Sequence, residues 1–155
     1  MNQYFAQGCS DRQSPGSADH HTIDFGPEPF ATNIARATQQ NRLFRRALWT
    51  GNHLQLTLMC IPVGGEVGLE VHSDTDQFIR VECGQGMVEI GKCKEHLESQ
   101  QCLCPDDVAL IPAGFWHNIV NIGRCPLKLY SIYAPPHHPH GTIHTTKADA
   151  DASHD

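Results

Sequence analysis

Four polar residues in the middle of the chain have side chains and spacings that could bind a metal ion. Glu70 and His72 are two residues apart, Gln77 follows after four intervening residues, and His117 lies farther along. Together they offer two imidazole nitrogens, a carboxylate oxygen and an amide oxygen. This set suits a first-row divalent ion such as Mn, Fe, Ni or Zn. The four side chains together carry a single negative charge, that of Glu70.

The same residues allow other arrangements. Two His and one carboxylate could form a three-ligand face that leaves positions open for a substrate or oxygen, with Gln77 as a weak or outer ligand. Alternatively, an inward His or Gln is a hydrogen-bonded core residue, and Glu70 is paired with a protonated His in a metal-free core. The agreement of two spaced segments favours the metal site.

Strand periodicity decides which of these side chains meet. On a strand over 69–72, Glu70 and His72 would share one face, since alternate residues point the same way. Gln77 begins the next predicted strand after a polar turn, and His117 begins another after the tight turn at 112–114. We therefore expect the four polar side chains to converge among aliphatic ones.

The elements around them predict an all-β fold. Past Arg45, short apolar runs alternate with Gly, Pro and Asp, which is typical of a sandwich or barrel. In the segment 53–65, alternation directs Leu54, Leu56 and Leu58 toward a core. One short helix is predicted from Ile34 to Phe44. Further strands are predicted at Leu69–His72, Gln77–Val81, Gly86–Ile90, Gln101–Cys104, Val108–Ile111, His117–Asn121 and Leu127–Tyr133.

The length of 155 residues fits one domain. Residues 1–22 are polar and predict a disordered lead, 23–135 the barrel, and 136–155 a polar tail rich in His and Asp. His137, His138, His140 and His144 could bind metal, although a solvated tail is the commoner case. On the last strand, the Tyr133 hydroxyl could orient a substrate or simply cap the core.

The charge balance excludes some partners. The formal net charge is −6, from 11 Lys and Arg against 17 Asp and Glu, so we expect neither nucleic acid nor an anionic membrane as a partner. There is no secretory signal pattern and no stretch long enough to span a bilayer, so the expected location is cytoplasmic. The seven Cys show no CxxC pairing and are interpreted as reduced thiols.

The spacing in the first segment resembles the first motif of the cupin superfamily. That motif runs Gly, five residues, His-x-His, three or four residues, Glu, six residues, Gly. Here Gly64 is followed by five residues, Glu70 and His72 around one residue, four residues, Gln77, six residues and Gly84. Glu70 stands where the family has its first His, and Gln77 where it has Glu. A carboxylate is lost at one ligand position and gained at another, which favours a retuned metal site.

The second segment resembles the second cupin motif, which runs Gly, five residues, Pro-x-Gly, two residues, His, three residues, Asn. Asp106, five residues, Pro112 to Gly114, two residues, His117, three residues and Asn121 fill that spacing. Asp106 replaces the opening Gly. The stretch at 127–150 also resembles the end of small single-domain bacterial cupins labelled mannose-6-phosphate isomerase-like.

The resemblance implies a double-stranded β-helix, or jelly-roll barrel, that holds a divalent metal ion and forms a homodimer. It implies a metal-dependent enzyme, an isomerase or a dioxygenase, acting on a small polar or carboxylated substrate such as a sugar or keto acid. The alternative is a small-molecule or sugar sensor without turnover. A shared fold alone does not choose between them.

Overall fold

The computed structural model describes residues 23–153. The predicted disordered lead at residues 1–22 lies outside the described residues. Within them the elements are α1 Ile34–Gln40, β1 Arg45–Thr50, β2 Gln55–Ile61, β3 Asp76–Cys83, β4 Gly86–Gly91, β5 Ser99–Leu103, β6 Val108–Ile111, β7 Trp116–Asn121, β8 Leu127–Ala134, β9 Ile143–His144 and α2 Lys147–Ala152.

The strands form two antiparallel sheets. One has six strands in the order β6-β3-β8-β2-β1-β9, and the other has three in the order β5-β4-β7. Apolar side chains from both sheets form one buried cluster, to which β2 contributes Met59 and Ile61, and β4 and β7 contribute Val88 and Ile119. The two sheets therefore enclose a common core, which confirms the predicted all-β barrel with a short N-terminal helix.

Helix α1 ends earlier than predicted. Its last residue is Gln40, and Asn41 adopts an extended backbone while its N–H donates to the carbonyls of Ala37 and Thr38. The Asn41 side chain then bonds the backbone of Leu43 on both sides, accepting from its N–H and donating to its carbonyl. The prediction of a helix to Phe44 was wrong because this cap turns the chain toward β1.

The predicted strand at Leu69–His72 is also corrected. Glu70 makes only an isolated bridge to His117 on β7. Just before it, Gly68 has φ +100° and donates its N–H to the side chain of Asn118 instead of a neighbouring strand. A residue in this conformation interrupts the regular ladder, since extended strands require negative φ.

Strand β2 has two apolar environments rather than one. Leu58 is buried in a second cluster outside the barrel, where Leu56 and the helix residue Ile34 pack against it. The inward face carries Gln55 and Thr57, which are both fully buried. The predicted alternation holds, but the leucine face lies under α1, and Leu54 at its end is 40% exposed.

Two strands, β1 and β9, were not predicted. β1 pairs with β2 on one side and with β9 on the other. Helix α2 follows β9 and begins with a capping box, in which Thr146 and Asp149 exchange side-chain to backbone hydrogen bonds. The segment that sequence reasoning treated as a polar tail thus adds an edge strand to the six-stranded sheet, and Ala150 of α2 joins the core cluster.

None of the helices within residues 23–153 is long and apolar enough to cross a membrane. The six cysteines in this part of the chain form no disulfide with one another.

Candidate metal centre

The His117 ring is oriented by a hydrogen bond to the backbone two residues before it. It lies on β7, is 1% exposed, and its Nδ1 is 3.0 Å from the carbonyl oxygen of Phe115. A carbonyl can only accept, so Nδ1 carries the proton and Nε2 has a free lone pair. That buried Nε2 has no hydrogen-bond partner among the described residues. This arrangement, with the far nitrogen anchored to backbone, is the usual one for a metal-binding histidine.

Glu70 is held against His117 by the backbone. Each residue donates its N–H to the other's carbonyl at 2.9 Å, so the two form a hydrogen-bonded antiparallel pair with side chains on the same face. Glu70 Oε1 lies 3.4 Å from His117 Nε2 and also 3.4 Å from His72 Nε2. One carboxylate oxygen therefore faces two imidazole nitrogens.

His72 completes the group. Its carbonyl accepts the N–H of Gly114, at 2.7 Å, which ties the loop after Glu70 to the turn before His117. The ring is 5% exposed, and neither ring nitrogen has a hydrogen-bond partner within residues 23–153. Its centroid is 5.3 Å from that of His117. Buried imidazoles without partners are costly, so a bound cation would stabilise them.

The geometry of these three residues fits a metal ion. One ligand atom from each of Glu70, His72 and His117 lies within 4.8 Å of the other two. Two ligands held about 2.1 Å from one tetrahedral ion stand about 3.4 Å apart, which matches both carboxylate-to-imidazole distances. Two neutral imidazoles and a carboxylate suit a first-row divalent ion. The described residues thus contain a group that could hold a metal ion.

Gln77 lies on the inward face of β3 but is engaged elsewhere. It is 5% exposed, and its Nε2 donates to Ser131 Oγ at 2.8 Å. Its Oε1 is buried with no hydrogen-bond partner among the described residues. Its register partner on β8 is Tyr133, whose ring lies edge-on to His72 with centroids 5.6 Å apart. Gln77 therefore lies near His72 through Tyr133, and its role as a metal ligand stays a prediction.

The electrostatics keep Glu70 ionised. Burial alone would raise the pKa of Glu70, but the adjacent polar imidazoles of His117 and His72, together with the positive charge of Arg45, hold it well below its usual range. The side chain keeps 19% exposure. A carboxylate in this state is available as a metal ligand without first losing a proton.

A cavity of about 390 Å³ opens onto the three-residue group. Glu70 and His72 lie in its wall, Trp116 lies beside them, and Ala150 and Asp151 of α2 line another side. Pockets of this size accommodate small ligands.

Three further residues lie near the group, of which sequence reasoning raised His137 and His138 only as possible metal binders in the tail and did not raise Arg45. Arg45 is 2% exposed and lines the cavity. The ring of His137 lies 4.0 Å from that of His72, centroid to centroid. His138 is buried, and burial, followed by the charge of Arg45, lowers its pKa to about 2, so it is neutral. The run of His in the tail was the signal for His137 and His138, whereas no sequence pattern pointed to Arg45.

Gln55 explains how that segment reaches the barrel. Its Oε1 accepts the backbone N–H of His138 at 2.9 Å, and its Nε2 donates to the His138 carbonyl at 2.8 Å. Tyr133, whose hydroxyl was predicted to orient a substrate or cap the core, is fully buried. Burial raises the pKa of the Tyr133 hydroxyl. A glutamine and a tyrosine thus end the inward face of paired strands β2 and β8.

The comparisons with known proteins agree with this architecture. A family model described as the cupin domain matches residues 57–133. This protein belongs to the cupin family. The cupin is 57% identical over 132 residues to the uncharacterized protein YrkC of Bacillus subtilis (strain 168), covering 85% of this chain and 71% of that protein. The resemblance inferred from the two motifs is therefore confirmed.

Two more relatives support the family assignment. The cupin is 35% identical over 125 residues to the uncharacterized protein L612 of Acanthamoeba polyphaga mimivirus, covering 80% of this chain and 76% of that protein. The crystal structure of BH2720 from Bacillus halodurans matches with a TM-score of 0.83 at 58% identity, covering 84% of this chain and 98% of that one.

One departure from the family motif has a structural explanation. Asp106 replaces the usual Gly and has φ 76°, a left-handed conformation. Asp tolerates this region better than most residues. Its carboxylate also pairs with Arg80 at 2.6 Å on the protein surface.

Proposed function

We propose that this cupin is a metal-dependent enzyme acting on a small polar or carboxylated substrate. Glu70, His72 and His117 would hold a divalent transition-metal ion, and Gln77 would complete or tune its ligand set. The observation that carries the proposal is the single Glu70 oxygen 3.4 Å from two buried imidazole nitrogens, beside an open cavity.

The residues present suggest how such a site would work. Three protein ligands leave coordination positions open to the cavity, which suits either isomerisation or oxygenation. When bound, the ion would supply Lewis-acid polarisation of a carbonyl or enediolate oxygen. His117 is kept in one tautomer by Phe115, so its Nε2 stays directed at the site. The cavity wall formed by Trp116 and α2 would limit access of water to the substrate.

Metal analysis of the full chain, purified without a tag, tests the site. We expect about one equivalent of a single transition metal after incubation with Fe, Mn, Ni or Zn. The variant His72→Ala should lose it, because it removes a ligand. His53→Ala is the matched control, since His53 is exposed and lies outside the site. Less than a tenth of an equivalent in the parent protein would overturn the proposal.

Turnover assays then test the enzyme assignment. Metal-loaded protein should consume oxygen with a keto acid or isomerise a sugar, and His72→Ala should not. Stoichiometric metal and ligand binding without turnover across both panels would instead favour a small-molecule sensor, the alternative raised by the sequence.

Two further expectations accompany the proposal. The cysteines within residues 23–153 are all free, which supports a reducing, cytoplasmic location. The homodimer implied by the family resemblance stays a prediction that sedimentation analysis would test.

A further inference from the structure

The guanidinium of Arg45 is a buried positive charge beside the candidate metal ligands. Arg45 pairs in register with Met59 of β2, whose side chain belongs to the barrel core, so both occupy the inward face. It lines the same cavity as Glu70 and His72 and is only 2% exposed. Its position therefore places a positive charge in the wall of the cavity that a substrate would occupy.

The carboxylate that feels this charge is Glu70, which the proposed metal ion would also engage. Within residues 23–153, no ion pair joins Arg45 to a carboxylate, and its Nε is buried without a hydrogen-bond partner. The neighbouring Arg46 lies on the opposite face of β1 and bonds the carbonyl of Ile23. A buried guanidinium without a close ion-pair partner is costly, so an anionic ligand here would gain much of its binding energy from pairing with it.

We propose that Arg45 is the carboxylate-binding residue of the substrate site. This inference rests on the proposed function and specifies its substrate class, a small carboxylate that bears a second oxygen for the metal site. The planar guanidinium fork matches the two oxygens of a carboxylate. A divalent ion on Glu70, together with Arg45, gives the cavity a net positive charge, which favours an anion over a neutral sugar.

The cavity size is consistent with this class. About 390 Å³ is near the lower end of ligand pockets and admits a molecule of a few carbons. Glu70 and Arg45 both line it, so one short molecule could reach both groups. Arg45 would then position the substrate, and the metal site would act on the carbonyl or hydroxyl next to its carboxylate.

Binding of pyruvate and of its neutral amide, pyruvamide, to the Mn²⁺-loaded full chain tests the proposal. Titration calorimetry should show pyruvate binding at least about ten-fold tighter than pyruvamide. In Arg45→Met the pyruvate affinity should fall about 10- to 100-fold, the usual value of hydrogen bonds to a charged group. Arg46→Met is the matched control, another buried arginine on the same strand, and should change pyruvate affinity less than two-fold.

Two further measurements keep the outcomes distinct. Arg45→Lys retains the charge without the fork and should lose about 3- to 10-fold in pyruvate affinity, which also serves if Arg45→Met does not fold. Mn²⁺ affinity should remain unweakened in every Arg45 variant. If the parent protein binds no Mn²⁺, the proposed function fails. If Mn²⁺ binds but the Arg45 variants keep full pyruvate affinity, only this inference fails. Inorganic phosphate binding ten-fold tighter than pyruvate would also overturn the carboxylate assignment.

Discussion

Replacing Glu70 with Gln should abolish most of the stabilisation that a metal ion bound at the proposed site would give to this cupin. The substitution keeps the size of the side chain and removes its charge. In the absence of metal, the new amide can donate to the lone pair of His117 Nε2, which Glu70 Oε1 faces at 3.4 Å. The free energy of unfolding of the metal-free variant should therefore lie within about 1 kcal/mol of that of the metal-free parent protein.

The expected size of the effect follows from mass action. At a metal concentration 100-fold above its Kd, the parent protein gains about 2.7 kcal/mol. For a domain of this size that corresponds to a rise in Tm of about 5–11 °C. Losing a charged ligand should weaken binding by at least the roughly 100-fold that loss of an outer-shell partner can cost. The same metal concentration would then give about 0.4 kcal/mol, or a rise of 1–2 °C.

Thermal unfolding with and without Mn²⁺, Fe²⁺ or Zn²⁺ measures this difference. Glu66→Gln is the matched control, because Glu66 is an exposed carboxylate nearby that accepts a hydrogen bond from Asn118. It should keep the full metal-dependent shift. A Glu70→Gln protein that is stabilised as strongly as the parent protein would refute the ligand role of Glu70.

Three other substitutions test separate parts of the structure. Asp24 accepts hydrogen bonds from Thr50 and two backbone N–H groups, which outweigh burial and lower its pKa from 3.8. Its contribution is therefore present above pH 3.8 and is lost as the pH falls through the lowered value. Asp24→Asn should cost about 1–3 kcal/mol at pH 7 and flatten the acid limb of the unfolding curve. Asn121→Ala removes side-chain hydrogen bonds to two carbonyls and one N–H, and urea unfolding should show a loss of about 2–4 kcal/mol. Gln77→Leu should weaken metal binding about 10- to 100-fold in a chelator competition, and an unchanged affinity would exclude Gln77 from both ligand shells.

Much of the fold was predictable because its strands alternate regularly. Val108–Ile111 was predicted with its observed bounds, and the strands that begin near Gln77, Gly86 and Leu127 were each found within two residues of theirs. β1 was missed because Arg45 and Arg46 open it, and adjacent charged residues do not indicate a buried strand. Arg46 is buried beside the carbonyl of Ile23, a group that only the folded chain brings near it.

The candidate metal group was predictable for a different reason. Glu70, His72 and His117 occupy fixed positions in two sequence motifs, so their spacing along the chain carries the signal. The strand expected to align Glu70 and His72 is irregular, yet the backbone pairing of Glu70 with His117 brings the group together. Arg45 and His138 lie outside both motifs, so no spacing links them to the site.

The inward face shared by β2 and β8 changes from apolar to polar along its length. Ile61 pairs with Leu127, and Met59 with Leu129, whereas toward the other end the register pairs are Thr57 with Ser131 and Gln55 with Tyr133. All eight are fully or nearly fully buried. Apolar burial at one end supplies stability, which lets the other end retain polar groups that a core alone would not favour. Since Gln77 bonds Ser131 and the Tyr133 ring contacts His72, the polar end lies beside the candidate metal ligand His72. The barrel thus separates the residues that hold the fold from those available for binding.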